Sequence, residues 1–396
     1  MAINVGVLGA TGAVGQRIVS CLDNHPFFEL VYVAASQNSA GKTYEEAVRG
    51  RWLLDQEISY NTRNLIVYDA NKICHARGNC GVVFSCLEMK PDKLRELEES
   101  YARAGFAVFS NASAHRWTKD VPMLIPEINS SHLKIISYQQ KNHEFQNGGF
   151  IVVKPNCSVQ SYLTPIHALI SAGYPVSAID VVTLQACSGA GERGIRSLEK
   201  LMQGLKLVEM IRNGNLDPVF VDHVRNSPDY DNLLDITNNV LPNIVGEEEK
   251  TEREPLKILG KLENNEIIYN SDIRISAQCN RVPVMDGHLA CVKLKFSDKK
   301  PTLEEIISIW RGFRAVPQEY ELPSSPLQPI IYLDEEDRPQ PKLDKDSDNG
   351  MAVTLGRLQE CPVFDIKFVG LSHNTIRGAA GGNVLNAELA LKLGYF

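Results

Sequence analysis

At 396 residues the chain exceeds the roughly 250 at which a single core stops growing, so two domains are expected. A net charge of −7, with no block of Lys or Arg, excludes nucleic acid or an anionic membrane as the main partner. An apolar fraction of 43% without a run near the roughly 18 residues of a membrane span predicts a soluble chain, and a start free of a basic leader points to the cytoplasm.

The first half alternates strand-like and helix-like segments. Val5-Gly6-Val7-Leu8, Leu30 to Ala34, Leu65 to Tyr68, Val82-Val83-Phe84 and Ala107-Val108-Phe109 are short β-rich runs, and such alternation predicts parallel βαβ units. The first strand leads into Gly9-Ala10-Thr11-Gly12-Ala13-Val14-Gly15 and then a helix. Glycines at this turn let the backbone approach a pyrophosphate, which the helix start favours through its free N–H groups and dipole. After the second strand no acid stands where an NAD site places one for the ribose 2′-hydroxyl. Ser36, Ser39 and Lys42 stand there instead and offer donors and a cation to a 2′-phosphate, which favours NADP.

Near Pro155 the character changes. Long extended runs, Ala178 to Ala186 and His288 to Phe296, predict a second α+β domain with a mixed or antiparallel sheet. The final stretch, Asn374 to Phe396, reads as a glycine-rich turn and an apolar helix that packs back on the first domain. The expected division is therefore 1–155 plus 374–396 against 156–373. Polar or proline-rich stretches near 205–239 and 318–348 read as insertions.

Among the candidate chemical groups, Cys157 follows a strand and Pro155-Asn156, at the start of an expected helix whose dipole would lower its thiol pKa. By this context alone it is as readily an inert core cysteine. The nine cysteines are odd in number and lack CxxC spacing, so neither a disulfide framework nor a zinc site is expected, and no metal is called for. Downstream, Asn280 to His288 is an extended run into an Asp-Gly turn that offers Arg281 as a carboxylate clamp and His288 as an acid or base. Taken alone, each is as compatible with an ion pair or a structural histidine.

Together these motifs resemble one family along nearly the whole chain, aspartate-β-semialdehyde dehydrogenase of the archaeal and fungal branch. The matching elements, in order, are Gly9 to Gly15, Ser39 to Lys42, Pro155 to Ser158, Gln185 to Gly191, Glu247 to Lys250, Arg281 to His288 and Asn374 to Gly381. The resemblance implies a Rossmann-type N-terminal domain, a catalytic and dimerisation domain, and a homodimer or homotetramer. It also implies NADPH-dependent reduction of aspartyl-β-phosphate to the semialdehyde and phosphate, a step of lysine, threonine and methionine biosynthesis. Carried onto this chain, Cys157 is the nucleophile and His288 the acid/base, with Asn156 and Gln185 beside them. Arg281 would bind the substrate carboxylate and Glu247 its ammonium, while Arg116, Lys250 and Asn111 would serve the phosphate. Gly9, Thr11, Gly12, Ala13, Val14, Ser36, Ser39, Lys42, Gly189 and Asn383 would hold NADP.

Three departures bear on this resemblance: Lys154 precedes the PNCS run, Val159 follows it, and Glu192-Arg193 follow the SGAG turn. Rival readings are a malonyl-CoA or N-acetylglutamyl-phosphate reductase, which would keep the thiol and nicotinamide chemistry, and a non-catalytic NADP-binding protein.

Overall fold

The apolar runs of the first half become one sheet because each is buried on both faces, the pattern that parallel strands under helices require. The computed structural model describes residues 2–145, 147–213, 215, 217–225 and 233–396. Its first sheet consists of β1 (Ile3–Leu8), β2 (Phe28–Ala35), β3 (Val67–Asp69), β4 (Val82–Ser85), β5 (Ala107–Ser110) and β6 (Phe150–Val153), all parallel, in the order β3-β2-β1-β4-β5-β6. The order reverses between β1 and β4. In such sheets the crevice beyond the strand C-termini at that point is where nucleotides bind. Helices α1 (Ala13–Cys21) and α2 (Pro91–Arg103) join these strands. The third strand starts two residues later than its apolar run does, because Ile66 faces outward and bridges Thr43 instead.

Beyond β6 the chain makes a single 3-10 turn (Ser158–Ser161) and then α3 (Leu163–Ser171). The second sheet contains β7 (Val176–Gln185), β8 (Arg274–Arg281), β9 (His288–Phe296), β10 (Ile330–Tyr332), β11 (Val353–Glu360) and β12 (Ile366–Ser372), in the order β8-β7-β9-β12-β11-β10. It is mixed: β7 runs parallel to β8 and antiparallel to β9. Registry decides what this sheet does. Arg281 pairs with Gln185 and Leu289 with Leu184, so Gln185, Arg281 and His288 finish side by side at one end.

Three helices complete the frame: α4 (Gly191–Arg212), α5 (Glu247–Ile258) and α6 (Ala380–Lys392). The last is buried from Ala380 through Ala390 and shares the first sheet's core with Ile18, Phe84 and Phe109, so the chain's end belongs physically to the N-terminal sheet. Its one buried acid, Glu388, accepts from His25 Nε2 at 2.8 Å and from the Ser324 backbone N–H. The stretch expected as an insertion near 318–348 is thus part of the framework. Leu322 enters the first core, and Ile330–Tyr332 forms the edge of the second sheet. Of the other stretch, 205–239, α4 takes the first part as regular helix, while residues 214, 216 and 226–232 lie outside the described residues. No helix among the described residues is long and apolar enough to cross a membrane.

Candidate active site

The glycine turn after β1 has the geometry its composition predicts. Gly9 has φ +79°, and a side chain there would strike the Cys86 carbonyl, while one on Gly15 would strike the Gly9 carbonyl at 2.1 Å. Helix α1 can therefore start close under the strand ends, with Gly12 as its N-cap and Ala13 and Val14 in its first turn, whose amides have no acceptor inside the helix. A cavity of about 280 Å³ opens beside Val14, between Cys86–Met89 and Asn111–Ala114 at the ends of β4 and β5. A second, of about 220 Å³, lies between Ala13, Arg17, Ser188, Asp286 and Thr375. Asn111 Oδ1, on a residue that lines the first cavity, is buried without a partner, and so is Asn383 Oδ1, whose Nδ2 donates to Phe109 O. At the end of β2, Ser36 and Lys42 are exposed and Ser39 is buried, with Lys42 Nζ donating to Asn38 O at 3.1 Å. This hydroxyl and cation set suits a 2′-phosphate.

The second sheet's end meets the 3-10 turn at Cys157. The thiol Sγ lies 3.2 Å from His288 Nε2. His288 is fully buried, its carbonyl accepts from Ser161 Oγ at 3.0 Å, and its Nδ1 accepts from the Ala186 backbone N–H at 3.1 Å. An acceptor Nδ1 assigns the neutral ring's proton to Nε2, where it faces the sulfur. Burial, with Arg281 and His373 nearby, holds the imidazole well below its ordinary pKa and so keeps this neutral form. The thiol behaves differently from the sequence expectation: burial, seconded by Glu247, pushes it up to about 11. The reason is local. Only one 3-10 turn follows Cys157 before Tyr162, at φ −142°, interrupts the path to α3, so no long helix points its dipole at the sulfur.

Arg281 Nη1 donates to Ala186 O at 2.6 Å, which turns the guanidinium toward the same corner. Gly189, expected at the cofactor, also borders this corner: a methyl there would stand 2.7 Å from Arg281 Nη1 and 3.1 Å from His288 Nε2. On α5, Glu247 accepts from Asn156 Nδ2 at 2.7 Å and Gln185 Nε2 at 3.4 Å, and its other oxygen accepts from Lys250 Nζ at 2.9 Å. Asn156 in turn receives the Ser158 backbone N–H and hydroxyl, so the turn that carries Cys157 is fixed on both sides.

Arg116 departs from its expected place at a phosphate. It is buried and committed: Nη1 to Glu254 at 2.8 Å, Nε to Lys154 O at 3.0 Å and Nη2 to Asn111 O at 3.2 Å. Glu254 also accepts the Asn156 N–H at 2.6 Å, and Lys257 Nζ donates to three carbonyls of the Arg116–Val121 loop. Sequence reading missed Glu254, Lys257 and Asn374, whose side chain joins Gly287 N to Ser188 Oγ. A signal for Glu254 was present, since it stands seven residues after Glu247 and so on the same helix face. Asn374 lay within a motif already singled out.

Comparison with known proteins accords with this geometry. Residues 4–136 match the family model "Semialdehyde dehydrogenase, NAD binding domain" and residues 164–377 match "Semialdehyde dehydrogenase, dimerisation domain". The chain is 39% identical over 394 residues to an aspartate-semialdehyde dehydrogenase of Archaeoglobus fulgidus, covering 99% of each, and 38% identical over 395 residues to that of Schizosaccharomyces pombe, covering 98% of each. Among solved structures, the aspartate semialdehyde dehydrogenase of Candida albicans with NADP superposes with a TM-score of 0.81 at 34% identity, over 100% of both chains. With paired α/β domains, a dimerisation domain and a cysteine–histidine corner, this chain belongs to the aspartate-semialdehyde dehydrogenase family.

Proposed function

We propose that the protein reduces L-aspartyl-β-phosphate with NADPH to L-aspartate-β-semialdehyde and phosphate, reversibly, through a thioester on Cys157. The observation that carries this reading is the corner where Cys157 Sγ meets His288 Nε2 at 3.2 Å beside the buried Arg281. In the reducing direction the Cys157 thiolate attacks the acyl carbon and phosphate leaves with the bonding pair, which leaves an acyl thioester. The chemistry that a bound nicotinamide would supply is a hydride for that carbonyl carbon. His288, the expected acid/base, directs its Nε2–H as a hydrogen bond to the resulting oxyanion, which collapses to the aldehyde as the C–S bond breaks and restores the thiolate. The fixed Asn156 turn keeps these atoms in register.

In this proposal Arg281 grips the substrate carboxylate, Glu247 faces its ammonium with Gln185 at hand, and Lys250 with Asn111 is left for the phosphate. Arg116 holds the loops that carry them. The Gly9–Val14 turn would cradle the pyrophosphate, Ser36, Ser39 and Lys42 the 2′-phosphate, and Asn383 the nicotinamide. The domains divide as 1–155 plus 374–396 against 156–373, and the protein works in the cytoplasm as a homodimer or homotetramer. An N-acylated substrate has no ammonium for Glu247, which disfavours N-acetylglutamyl phosphate. The test is spectrophotometric: aspartate semialdehyde should sustain turnover of NADP only when phosphate is present, with no more than one equivalent reduced in its absence, and Cys157→Ala should abolish turnover in a folded protein. Activity with an acyl-CoA alone would overturn the substrate assignment.

A further inference from the structure

The turn before His288 reaches across to helix α1. Strand β9 begins at His288, and the residues that lead into it, Val284 to Gly287, are tied on two sides. Backbone bonds come from the neighbouring turn: Cys187 N–H donates to Val284 O at 2.7 Å and Ser188 N–H to Met285 O at 3.1 Å. The Gly287 N–H donates to Asn374 Oδ1 at 2.8 Å, and Asn374 Nδ2 donates to Ser188 Oγ at 2.8 Å. The Ala186 N–H that occupies His288 Nδ1 belongs to the same strip of chain. Whatever fixes this turn therefore also fixes the imidazole that faces Cys157.

A third tie comes from outside the second sheet. Asp286, two residues before His288, places Oδ2 3.7 Å from Arg17 Nη2, with 12% of its own side chain and 28% of the arginine's exposed. At that distance the two attract by charge rather than by hydrogen bonding. Arg17 lies on α1, one helical turn beyond Ala13, and both line the cavity of about 220 Å³ together with Ser188, Asp286 and Thr375. The other carboxylate oxygen, Asp286 Oδ1, is buried without a partner among the described residues. A turn built only to fold would fill that acceptor, so the placement of this carboxylate toward Arg17 calls for another reason.

We propose that Asp286 is a positioning residue for His288: held by Arg17, it fixes the turn that sets the imidazole against Cys157 and so ties that corner to the helix behind the Gly9–Gly15 turn. The proposal rests on reading Cys157 and His288 as a working pair and adds what holds the pair to α1. Alkylation of Cys157 by iodoacetamide, followed by peptide mass mapping at about pH 8 with neither substrate nor cofactor, reads the pair directly, because an Nε2–H aimed at the sulfur favours the reactive thiolate. The parent would be compared with Asp286→Asn, Arg17→Met, Arg17→Lys and His288→Ala, and with Asp286→Asn in the His288→Ala background.

Loss of the imidazole in His288→Ala should slow modification about tenfold, and Asp286→Asn and Arg17→Met about fivefold each at parental circular dichroism and melting, while Arg17→Lys stays within about twofold of the parent. In the His288→Ala background Asp286→Asn should change nothing further. Removing an anion could by its charge alone only favour the thiolate, so slowing reports a displaced ring. A parental rate in Asp286→Asn and Arg17→Met beside a slowed His288→Ala would overturn this proposal and leave the pair standing, whereas a parental rate in His288→Ala would overturn both. Equal slowing by Asp286→Asn in the two backgrounds would show an effect that does not pass through His288 and would overturn the proposal as well. Should Asp286→Asn fail to fold, Arg17→Met, at a part-exposed position, carries the same expectation and the same refutation in both backgrounds.

Discussion

Replacing Glu254 by Gln tests what fixes the turn that carries Cys157. The carboxylate is fully buried and holds two loops at once, through Arg116 at 2.8 Å and the Asn156 N–H at 2.6 Å. Gln keeps the volume but removes the charge, and its NH2 must face one of those two donors. Breaking a buried ion pair from one side costs about 3–5 kcal/mol; the lower end, ~3 kcal/mol, applies here because Arg116 keeps two carbonyl acceptors. Spread over the unfolding entropy of the whole chain, this lowers the melting temperature by about 4 °C, read by calorimetry. Displacement of Asn156 and Cys157 should also reduce kcat by about tenfold or more. Adding Arg116→Met to the variant removes the stranded charge and should recover part of the stability. A variant that melts within about 1 °C of the parent at unchanged kcat would refute the argument. Tighter phosphate binding in that variant would return Arg116 to the phosphate site.

Two further predictions address the corner and the cofactor. Gly189→Ala places a methyl 2.7 Å from Arg281 Nη1, so substrate KM should rise and kcat fall, each by about tenfold, at little cost in stability; unchanged kinetics would show that the guanidinium lies elsewhere in the working enzyme. Lys42→Ala should weaken NADP by about 1 kcal/mol, roughly fivefold, while leaving NAD unaffected, because an exposed cation on a phosphate contributes modestly; equal losses for both cofactors would remove Lys42 from the 2′-phosphate.

The first sheet was legible because parallel strands buried on both faces leave continuous apolar runs, and the Gly9–Gly15 turn announced itself through residues that only a close backbone approach demands. The second domain's corner was less so. His288 and Cys157 are 131 positions apart, and only the pairing of Arg281 with Gln185 and Leu289 with Leu184 brings those strand ends to the thiol. The resemblance to a family supplied that juxtaposition; local pattern could not. Arg116 shows the limit of the same route, since its partner Glu254 lies 138 residues away and converts an expected ligand-binding cation into a buried pair. At Cys157 the sequence suggested a helix dipole that would lower the pKa, but the helix is interrupted at Tyr162 and burial acts in the opposite direction. The stretch near 318–348 misled because its prolines and charges resemble a surface loop, whereas isolated apolar residues, Leu322 and Ile330, anchor it in both cores.

The proposed chemistry turns on a covalent bond between one sulfur and the substrate's acyl carbon. Mixing the protein with aspartate semialdehyde and NADP in the absence of phosphate, quenching in acid and mapping peptides by mass spectrometry tests it directly. The Cys157 peptide should carry an aspartyl adduct that disappears when phosphate is added before the quench. NADPH formation with Cys157 unmodified, or with the adduct on another cysteine, would contradict it.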